Sequence, residues 1–139
     1  MMQKLMITTS KNHEVIDITK ILNDLLFKNG CYEGISIIFC MSTSCALASV
    51  NLDGVGINED YINAYEALVP KINYKNPQNP DNFGAHLLSS SIGVSLCVPV
   101  QSGSLVLGLN QKIGLIEFSG PKERHITLNF LKITESGAL

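Results

Sequence analysis

The segment CMSTSCALAS, Cys40 to Ser49, carries two thiols and four hydroxyls within ten residues. Thiols and hydroxyls act as nucleophiles in covalent catalysis, and thiolates also bind transition metals. A third interpretation needs no chemistry, because small residues also pack where a strand ends. The segment directly follows the apolar run GISIIF. Its composition therefore leaves a nucleophile, a metal site and simple packing as alternatives.

The cysteine spacing favours packing. No CxxC motif joins the four cysteines, which are Cys31, Cys40, Cys45 and Cys97. Cys40 and Cys45 are an odd number of residues apart and would point to opposite faces of a continuous strand. Cys45, His86 and Asn82 match the residue types of a Cys-His-Asn hydrolase site, but the sequence does not fix their geometry. We therefore predict reduced, partly buried thiols.

Two amphipathic helices are predicted from the apolar periodicity. In the first, apolar residues recur at the spacing of one helix face, at Ile18, Ile21, Leu22, Leu25 and Leu26. Asp17 is placed to cap its start, and Asn29 with Gly30 to end it. In the second, Asn58 is placed to cap a helix that ends before Pro70. Its apolar face is formed by Tyr61, Ile62, Tyr65, Leu68 and Val69.

The rest of the chain predicts strands, one long loop and a short third helix. Residues 3–8, 13–17 and 34–40 each suit a strand. Residues 73–84 are too rich in Pro and Asn for anything but a loop, and AHLLSSSIG forms a short helix at most. Alternation from Val94 to Val100 is followed by the strand-like runs SLVLG, IGLIEF and HITLNFLKI. This order predicts one compact α+β domain over residues 1–139, with a mostly antiparallel sheet.

The composition excludes two classes of partner and favours self-association. Charged residues make up 16% of the chain and apolar residues 45%, so one small domain has more apolar surface than it can hide. A net charge of -2 supplies no basic patch for nucleic acid. No apolar run reaches the length of a membrane span, and the start MMQKLMITT is too short and polar for a signal peptide. We expect a cytoplasmic homo-oligomer.

A series of short motifs runs through the chain from Gly34 to Arg124. In order they are IIFCMSTSCA, ALVP, NYKN, DNFGAHL, IGVSLCVPV, VLGLNQKIG and EFSGPKER. Their order and spacing resemble the motifs V-F-V-P-H-T-T-A-A, L-V-P, Y-x-H, G-N-x-x-A-H, L-G-P-S-x-T-V-P-V, L-G-T-W-Q-G and E-F-D-G-P-R. That pattern belongs to the YjbQ family, which is labelled secondary thiamine-phosphate synthase.

The resemblance implies a compact α+β protomer that assembles as a homotrimer. It also implies a polar pocket, rich in His and acidic residues, that suits a metal or a phosphate-bearing ligand. Thiamine-phosphate synthase activity would join a pyrophosphate-bearing pyrimidine to a thiazole phosphate. Such a reaction needs the diphosphate charge to be held by a metal or by hydrogen-bond donors.

The resemblance carries the family's site onto nine positions of this chain. They are Ser42, Thr43, Ser44, Asn51, Asp60, Asn76, Asn82, His86 and Gln111. Ser42, Asn51 and Asn76 stand where the family pattern has His, Glu and His, and only His86 survives among the residues that would ligate a metal. Neutral Ser and Asn side chains are poor ligands for a transition metal, so no bound metal is expected here.

Three functions remain open for this set of residues. The leading hypothesis is a modified pocket that binds a small anionic or polar ligand, with His86 as the candidate catalytic residue and at most weak thiamine-phosphate-synthase-like activity. The second is a non-catalytic binding or structural subunit, and the third is an enzyme with a metal-free or cysteine-based site. Outside these positions, Lys122 and Arg124 lie in a polar turn and are predicted to be solvated charges.

Overall fold

The computed structural model describes residues 2–75 and 83–134. Within them, eight strands and three helices follow one another along the chain. In order they are β1 Met2–Thr8, β2 Glu14–Asp17, α1 Thr19–Lys28, β3 Gly34–Cys40, β4 Cys45–Asn51, α2 Ile57–Leu68, α3 Phe83–Ile92, β5 Ser95–Gln101, β6 Ser104–Leu105, β7 Gln111–Glu117 and β8 Glu123–Lys132.

The strands form two antiparallel sheets. The five-stranded sheet has the order β1-β8-β3-β5-β6, and the three-stranded sheet has the order β2-β7-β4. In the first, Ile38 of β3 lies opposite Leu128 of β8, and in the second Leu47 of β4 lies opposite Leu115 of β7. The predicted α+β class with mostly antiparallel strands is confirmed, although the strands divide between two sheets rather than one.

The main apolar core lies between the sheets and α1. Ile38, Leu47, Leu115 and Leu128 are fully buried there together with residues of α1. A second apolar cluster lies on the other face of the three-stranded sheet, where α2 and α3 pack. Strand β7 is therefore buried on both faces, which explains why IGLIEF is continuously apolar rather than alternating.

Strand β4 was not predicted from the sequence. Its sequence, CALASVN, has one β-branched residue and several small ones, so it carries little β propensity of its own. It is a strand because β7 offers a partner along its whole length, from Cys45 opposite Glu117 to Asn51 opposite Gln111. Long-range pairing has overridden a weak local signal.

The helix ends agree with the predictions in one helix and differ in the other two. The carboxylate of Asp17 accepts the Thr19 N–H at 2.9 Å, and Asn29 ends α1, as predicted. The prediction that Asn58 caps α2 was wrong, because the helix already begins at Ile57, after Gly56 with a φ of 82°. Helix α3 is also longer than expected. None of the described helices is long and apolar enough to cross a bilayer.

The predicted strand SLVLG is shorter in the structure. Only Ser104 and Leu105 pair, opposite Gln101 and Val100, across the tight turn formed by Ser102 and Gly103. The next strand begins at Gln111, and the last one begins at Glu123.

Candidate functional site

A cavity of about 610 Å³ opens between the β3–β4 loop and helix α3. We call it the α3 pocket. Its polar lining consists of Ser42, Thr43, His86, Ser89 and Ser90, and its other walls of Phe83, Leu87, Gly93 and Val94. A volume between roughly 300 and 1,000 Å³ is typical of small-molecule sites. The pocket is less polar than the sequence predicted, since an apolar wall faces the hydroxyls.

His86 is half-buried in the first turns of α3, where it faces the β3–β4 loop. Its Nδ1 lies 2.8 Å from the carbonyl oxygen of Thr43. Because a carbonyl oxygen can only accept, Nδ1 must carry the proton, and the neutral ring then has an unprotonated Nε2. This hydrogen bond ties the loop to the helix and fixes the tautomer of the ring.

The hydroxyl oxygen of Ser42 accepts two hydrogen bonds. The Ser44 N–H donates to it at 3.0 Å, and Nη1 of Arg124 donates at 2.7 Å. Both lone pairs of the oxygen are thereby used, so Ser42 can make further contacts only as a donor, either to the Cys45 sulfur or to a ligand. At the position where the family pattern has a histidine, this chain therefore holds a hydrogen-bond donor.

Arg124 lies behind Ser42 and is only 6% exposed, which contradicts the prediction of a solvated charge. Its Nε donates to Glu117 Oε1 at 2.9 Å, and Nη2 donates to Glu117 Oε2 and, at 2.9 Å, to the Ser44 hydroxyl. Thr9 Oγ1 also donates to Glu117 Oε1, at 2.7 Å. A lone Glu at the end of the otherwise apolar run IGLIEF was the one sequence signal of this pair, since a buried charge needs a partner.

Burial and mutual pairing have opposite effects on the pKa values of Glu117 and Arg124. Burial by itself raises the pKa of Glu117, but hydrogen bonds from Arg124 and Thr9 outweigh it and hold that pKa below its ordinary value. Burial also opposes the charge of Arg124, and the hydrogen bond to Glu117 outweighs it and raises the pKa of the guanidinium. Both groups are therefore charged at neutral pH.

Cys40 and Cys45 face each other directly under the β3–β4 loop. Both side chains are fully buried, and their sulfur atoms lie 2.9 Å apart. The expectation that they point to opposite faces assumed one continuous strand, whereas Cys40 ends β3 and Cys45 begins β4. The described structure records no disulfide between any of the cysteines. Among the described contacts, no hydrogen bond joins Cys45 to His86, and the Asn82 of that hypothetical nucleophile set lies outside the described residues.

The carried-over positions do not all converge on the α3 pocket. Ser42, Thr43 and His86 line it, while Ser44 is buried against Arg124. Asn51 and Gln111 pair at the far end of β4, roughly 20 Å away for a seven-residue strand.

Asn51 and Gln111 form a second cluster, which is held together by its own hydrogen bonds. The Asn51 N–H donates to the Tyr61 hydroxyl at 3.0 Å, and Gln111 Nε2 donates to Ser49 Oγ at 2.7 Å. Asp60 is exposed in the first turn of α2 and is not among the described residues that line either cluster's cavity. Asn76 and Asn82 lie outside the described residues. One chain thus presents two separate groups of these positions.

The residues around the α3 pocket do not fit a metal ion. Among residues 2–75 and 83–134, no three His, Cys, Asp or Glu side chains come together as a ligand set. His86 offers one nitrogen, and the guanidinium of Arg124 lies 2.7 Å behind the Ser42 oxygen, where it would repel a cation.

Fold and pocket together define a class: a small α+β protein with two antiparallel sheets and a pocket between a helix start and a hydroxyl-bearing loop. The family model described as UPF0047 protein YjbQ-like matches residues 3–133, and the chain belongs to this family. The resemblance found in the sequence motifs is thereby confirmed.

Relatives and solved structures agree with this assignment. The chain is 31% identical to the UPF0047 protein YugU of Bacillus subtilis, over 89% of this chain and 94% of that protein. It is 34% identical to a UPF0047 protein of Archaeoglobus fulgidus, over 92% and 99% of the two chains. A YbjQ-like protein of unknown function from Sulfolobus solfataricus superposes with a TM-score of 0.85 at 32% identity, covering 96% of this chain and 97% of that one. A hypothetical protein from Aeropyrum pernix superposes with a TM-score of 0.86 at 28% identity, covering 96% and 99%.

Proposed function

We propose that the α3 pocket binds a small anionic ligand that carries a phosphate group. One observation carries this proposal: Ser42, backed by Arg124, and His86 line the same cavity as the first turn of α3. Ser42 and the first backbone N–H groups of α3 can donate hydrogen bonds to an anion, and His86 can do so at Nε2 when its ring is protonated. The volume of about 610 Å³ suits a metabolite with one or two rings.

The donors differ in how they act. The first backbone N–H groups of a helix have no partner within the helix and carry partial positive charge, which favours phosphate there. Ser42 can act only as a donor, because its oxygen already accepts from Arg124 and Ser44, and a bound anion would compete with the Cys45 sulfur for its proton. Arg124 acts mainly through this hydroxyl, since Glu117 balances its charge. His86 adds a second donor at Nε2 when its ring is protonated.

We further propose that catalysis resembling thiamine-phosphate synthase is weak or absent. Among the described residues that line the pocket, His86 alone has the chemistry of a general acid or base. Ser42 and Asn51 replace the His and Glu of the family pattern, and these two positions lie at opposite ends of β4. The alternative function is a non-catalytic binding subunit, which the hydrogen-bonded, donor-rich pocket supports equally well.

Titration of the protein with inorganic phosphate, followed by amide NMR, tests the binding proposal. We expect shift changes confined to residues 42–44 and to the first two turns of α3. Under conditions in which the His86 ring is protonated, His86→Ala should weaken binding about tenfold, because one charge-assisted hydrogen bond is lost. His125→Ala is the matched control, because His125 is exposed on β8 and should leave the affinity unchanged. Shifts elsewhere, or none at millimolar phosphate, would contradict the proposal.

An activity assay separates the two functions. Purified protein is given the pyrophosphate-bearing pyrimidine and the thiazole phosphate, and thiamine phosphate is measured. A non-catalytic subunit gives no product even where phosphate binds. Rescue of a thiamine-requiring strain that depends on His86 would overturn the proposal that catalysis is weak.

We also propose that the protein is a homotrimer, as the family resemblance implies. The outer face of the five-stranded sheet carries apolar side chains on both sides of a polar row formed by His125, Thr127 and Asn129 of β8. We call them the apolar patch: Met2, Met6, Ile35, Ile37, Phe39 and Leu131. The helices pack elsewhere: α2 and α3 lie on the three-stranded sheet, and α1 packs into the core between the sheets. Two further copies of the chain are the occupants that would remove this patch from water.

A further inference from the structure

Cys40 and Cys45 lie on strands that fix their positions independently. Cys40 pairs with Ile126 of β8, and its N–H donates to the Val94 carbonyl at 2.8 Å. Cys45 pairs with Glu117 of β7, and its carbonyl accepts a hydrogen bond from Ser89 at 2.6 Å. The two sheets and α3 therefore hold the two thiols against each other.

The sulfur–sulfur distance of 2.9 Å leaves little movement before a bond forms. A disulfide has a sulfur–sulfur length of about 2.05 Å, so the two atoms must approach by roughly 0.9 Å. The bond would close a ring around the four residues of the 41–44 loop, which carries Ser42, Thr43 and Ser44. No other pair of cysteines in the chain is held in contact in the described structure.

We propose that Cys40 and Cys45 form a reversible disulfide when a small peroxide oxidises them, and that this bond resets the loop that lines the α3 pocket. We name a small peroxide as the oxidant class because both thiols are fully buried, so oxidation requires a local opening of the structure, and a small reagent needs the smallest opening. A thiol reductant restores the open form.

The chemistry balances in two steps. The Cys45 thiolate attacks one oxygen of hydrogen peroxide, so that an S–O bond forms, the O–O bond breaks and hydroxide leaves as water after taking a proton. The Cys40 sulfur then attacks the sulfenic sulfur of Cys45, the S–O bond breaks, and the second oxygen leaves as water with the Cys40 proton. Two thiols lose two electrons, and one peroxide becomes two waters.

Neighbouring groups shift the pKa values of the two cysteines in opposite directions. The hydrogen bond between the two sulfur atoms, helped by Ser42 and Arg124, lowers the pKa of Cys45 against the opposing effects of burial and Glu117. The same hydrogen bond, together with burial, raises the pKa of Cys40. Cys45 is therefore the thiolate that attacks, and Cys40 is the resolving thiol.

The loop couples this pair to the pocket. Thr43 holds His86 through its carbonyl, and Ser42 and Ser44 both contact Arg124. The bond would join the two residues that flank this loop, so we expect it to displace these contacts slightly. Oxidation should therefore shift the His86 ring resonances in an NMR spectrum, whereas those of His13, which pairs with Glu66 away from the loop, stay unchanged.

Thiol counting on the full chain tests the proposal. The protein is treated with hydrogen peroxide, quenched, unfolded and alkylated with N-ethylmaleimide, and the intact mass is measured. We expect two alkylated thiols instead of four, the loss of two hydrogens, and return to four after dithiothreitol. Chymotryptic digestion, which cuts after Phe39, should place the cross-link within the fragment that begins at Cys40.

Cysteine variants and the pH dependence of the oxidation rate give further tests of the disulfide. Cys97→Ser should leave the cross-link intact, and Cys40→Ala should leave Cys45 oxidised to sulfenic or sulfinic acid without it. Oxidation should become faster as the pH rises, because the thiolate fraction of Cys45 increases with pH and its lowered pKa brings that increase toward neutral pH. The proposal is overturned if four thiols survive, if Cys31 or Cys97 carries the cross-link, or if wild-type Cys45 is over-oxidised without a disulfide. The wild-type measurement decides this even where Cys40→Ala fails to fold.

Discussion

The pair formed by Glu117 and Arg124 organises the floor of the α3 pocket. Glu117 is completely buried at the end of β7, and Arg124 reaches it from the start of β8. The remaining donors of Arg124 bind Ser42 and Ser44, so one guanidinium joins both sheets to the loop. The buried charges of Glu117 and Arg124 stabilise the fold only while both partners are present.

Glu117→Gln should lower the free energy of unfolding by about 3–5 kcal/mol, because it leaves the guanidinium of Arg124 buried without a countercharge. Urea unfolding at pH 7 measures this loss. Asp24→Asn is the control, since Asp24 pairs with Lys20 in an exposed contact on α1 and its loss should leave stability unchanged. Equal stability of the Glu117→Gln variant and the wild type would contradict the importance of the pair.

The same pair predicts how stability depends on acid. The pKa of Glu117 is lower in the folded protein than its ordinary value of 4.5. Its contribution is therefore fully present above that value and is lost as the pH falls through the folded pKa. Between neutral pH and the acid limit, the wild type should lose more stability than Glu117→Gln. Unfolding curves that shift in parallel for both proteins would show that other carboxylates dominate.

Helix α3 is attached to β4 by one buried hydroxyl. Ser89 donates to the Cys45 carbonyl at 2.6 Å. Ser89→Ala should lower the free energy of unfolding by about 0.5–1.5 kcal/mol, the usual value for one hydrogen bond. Ser90→Ala is a close control, because Ser90 is exposed and bonds to Leu87 within its own helix. Thermal or urea unfolding of both variants gives the comparison, and equal losses would argue against the attachment.

The start of β3 has room only for glycine. A Cβ at Gly34 would lie 2.2 Å from the Leu131 carbonyl oxygen and 2.8 Å from the Phe130 ring. Gly34→Ala should therefore destabilise the protein by about 1–3 kcal/mol, because β8 must move away. Gly108→Ala is the matched control, since its nearest neighbour would be at an ordinary 3.5 Å. A Gly34→Ala variant as stable as the wild type would show that β8 yields without cost.

At the scale of the whole molecule, the proposed trimer depends on the outer face of the five-stranded sheet. Sedimentation should give three times the 15.1 kDa mass of one chain. Phe39→Lys places a charge within the apolar patch and should shift the protein to smaller species. Val55→Lys, in a fully exposed loop, should keep the assembly. A monomeric wild type at micromolar concentration would refute the trimer.

Assembly also bears on the separation of the two clusters. Ser42 with His86, and Asn51 with Gln111, lie at opposite ends of β4 within one chain. Their distance is set by the strand and does not change with side-chain rotation. Any ligand contacted by both clusters would have to lie between two copies of the chain.

The sequence by itself determined the class of fold, the family, both main helices and most strands. Helix and strand periodicity is a local property, so α1, α2 and the buried run of β7 could be predicted from it. The order and spacing of the motifs identified the family and the positions of Ser42 and His86.

Features that depend on contacts between residues distant in sequence were decided only by the tertiary structure. Strand β4 exists because β7 pairs with it, Arg124 is buried because Glu117 lies opposite, and Cys40 meets Cys45 because two sheets enclose the loop between them. The same structure left Asn51 and Gln111 far from His86. Pairing and burial depend on neighbours remote in sequence, and no local pattern records which residues those will be.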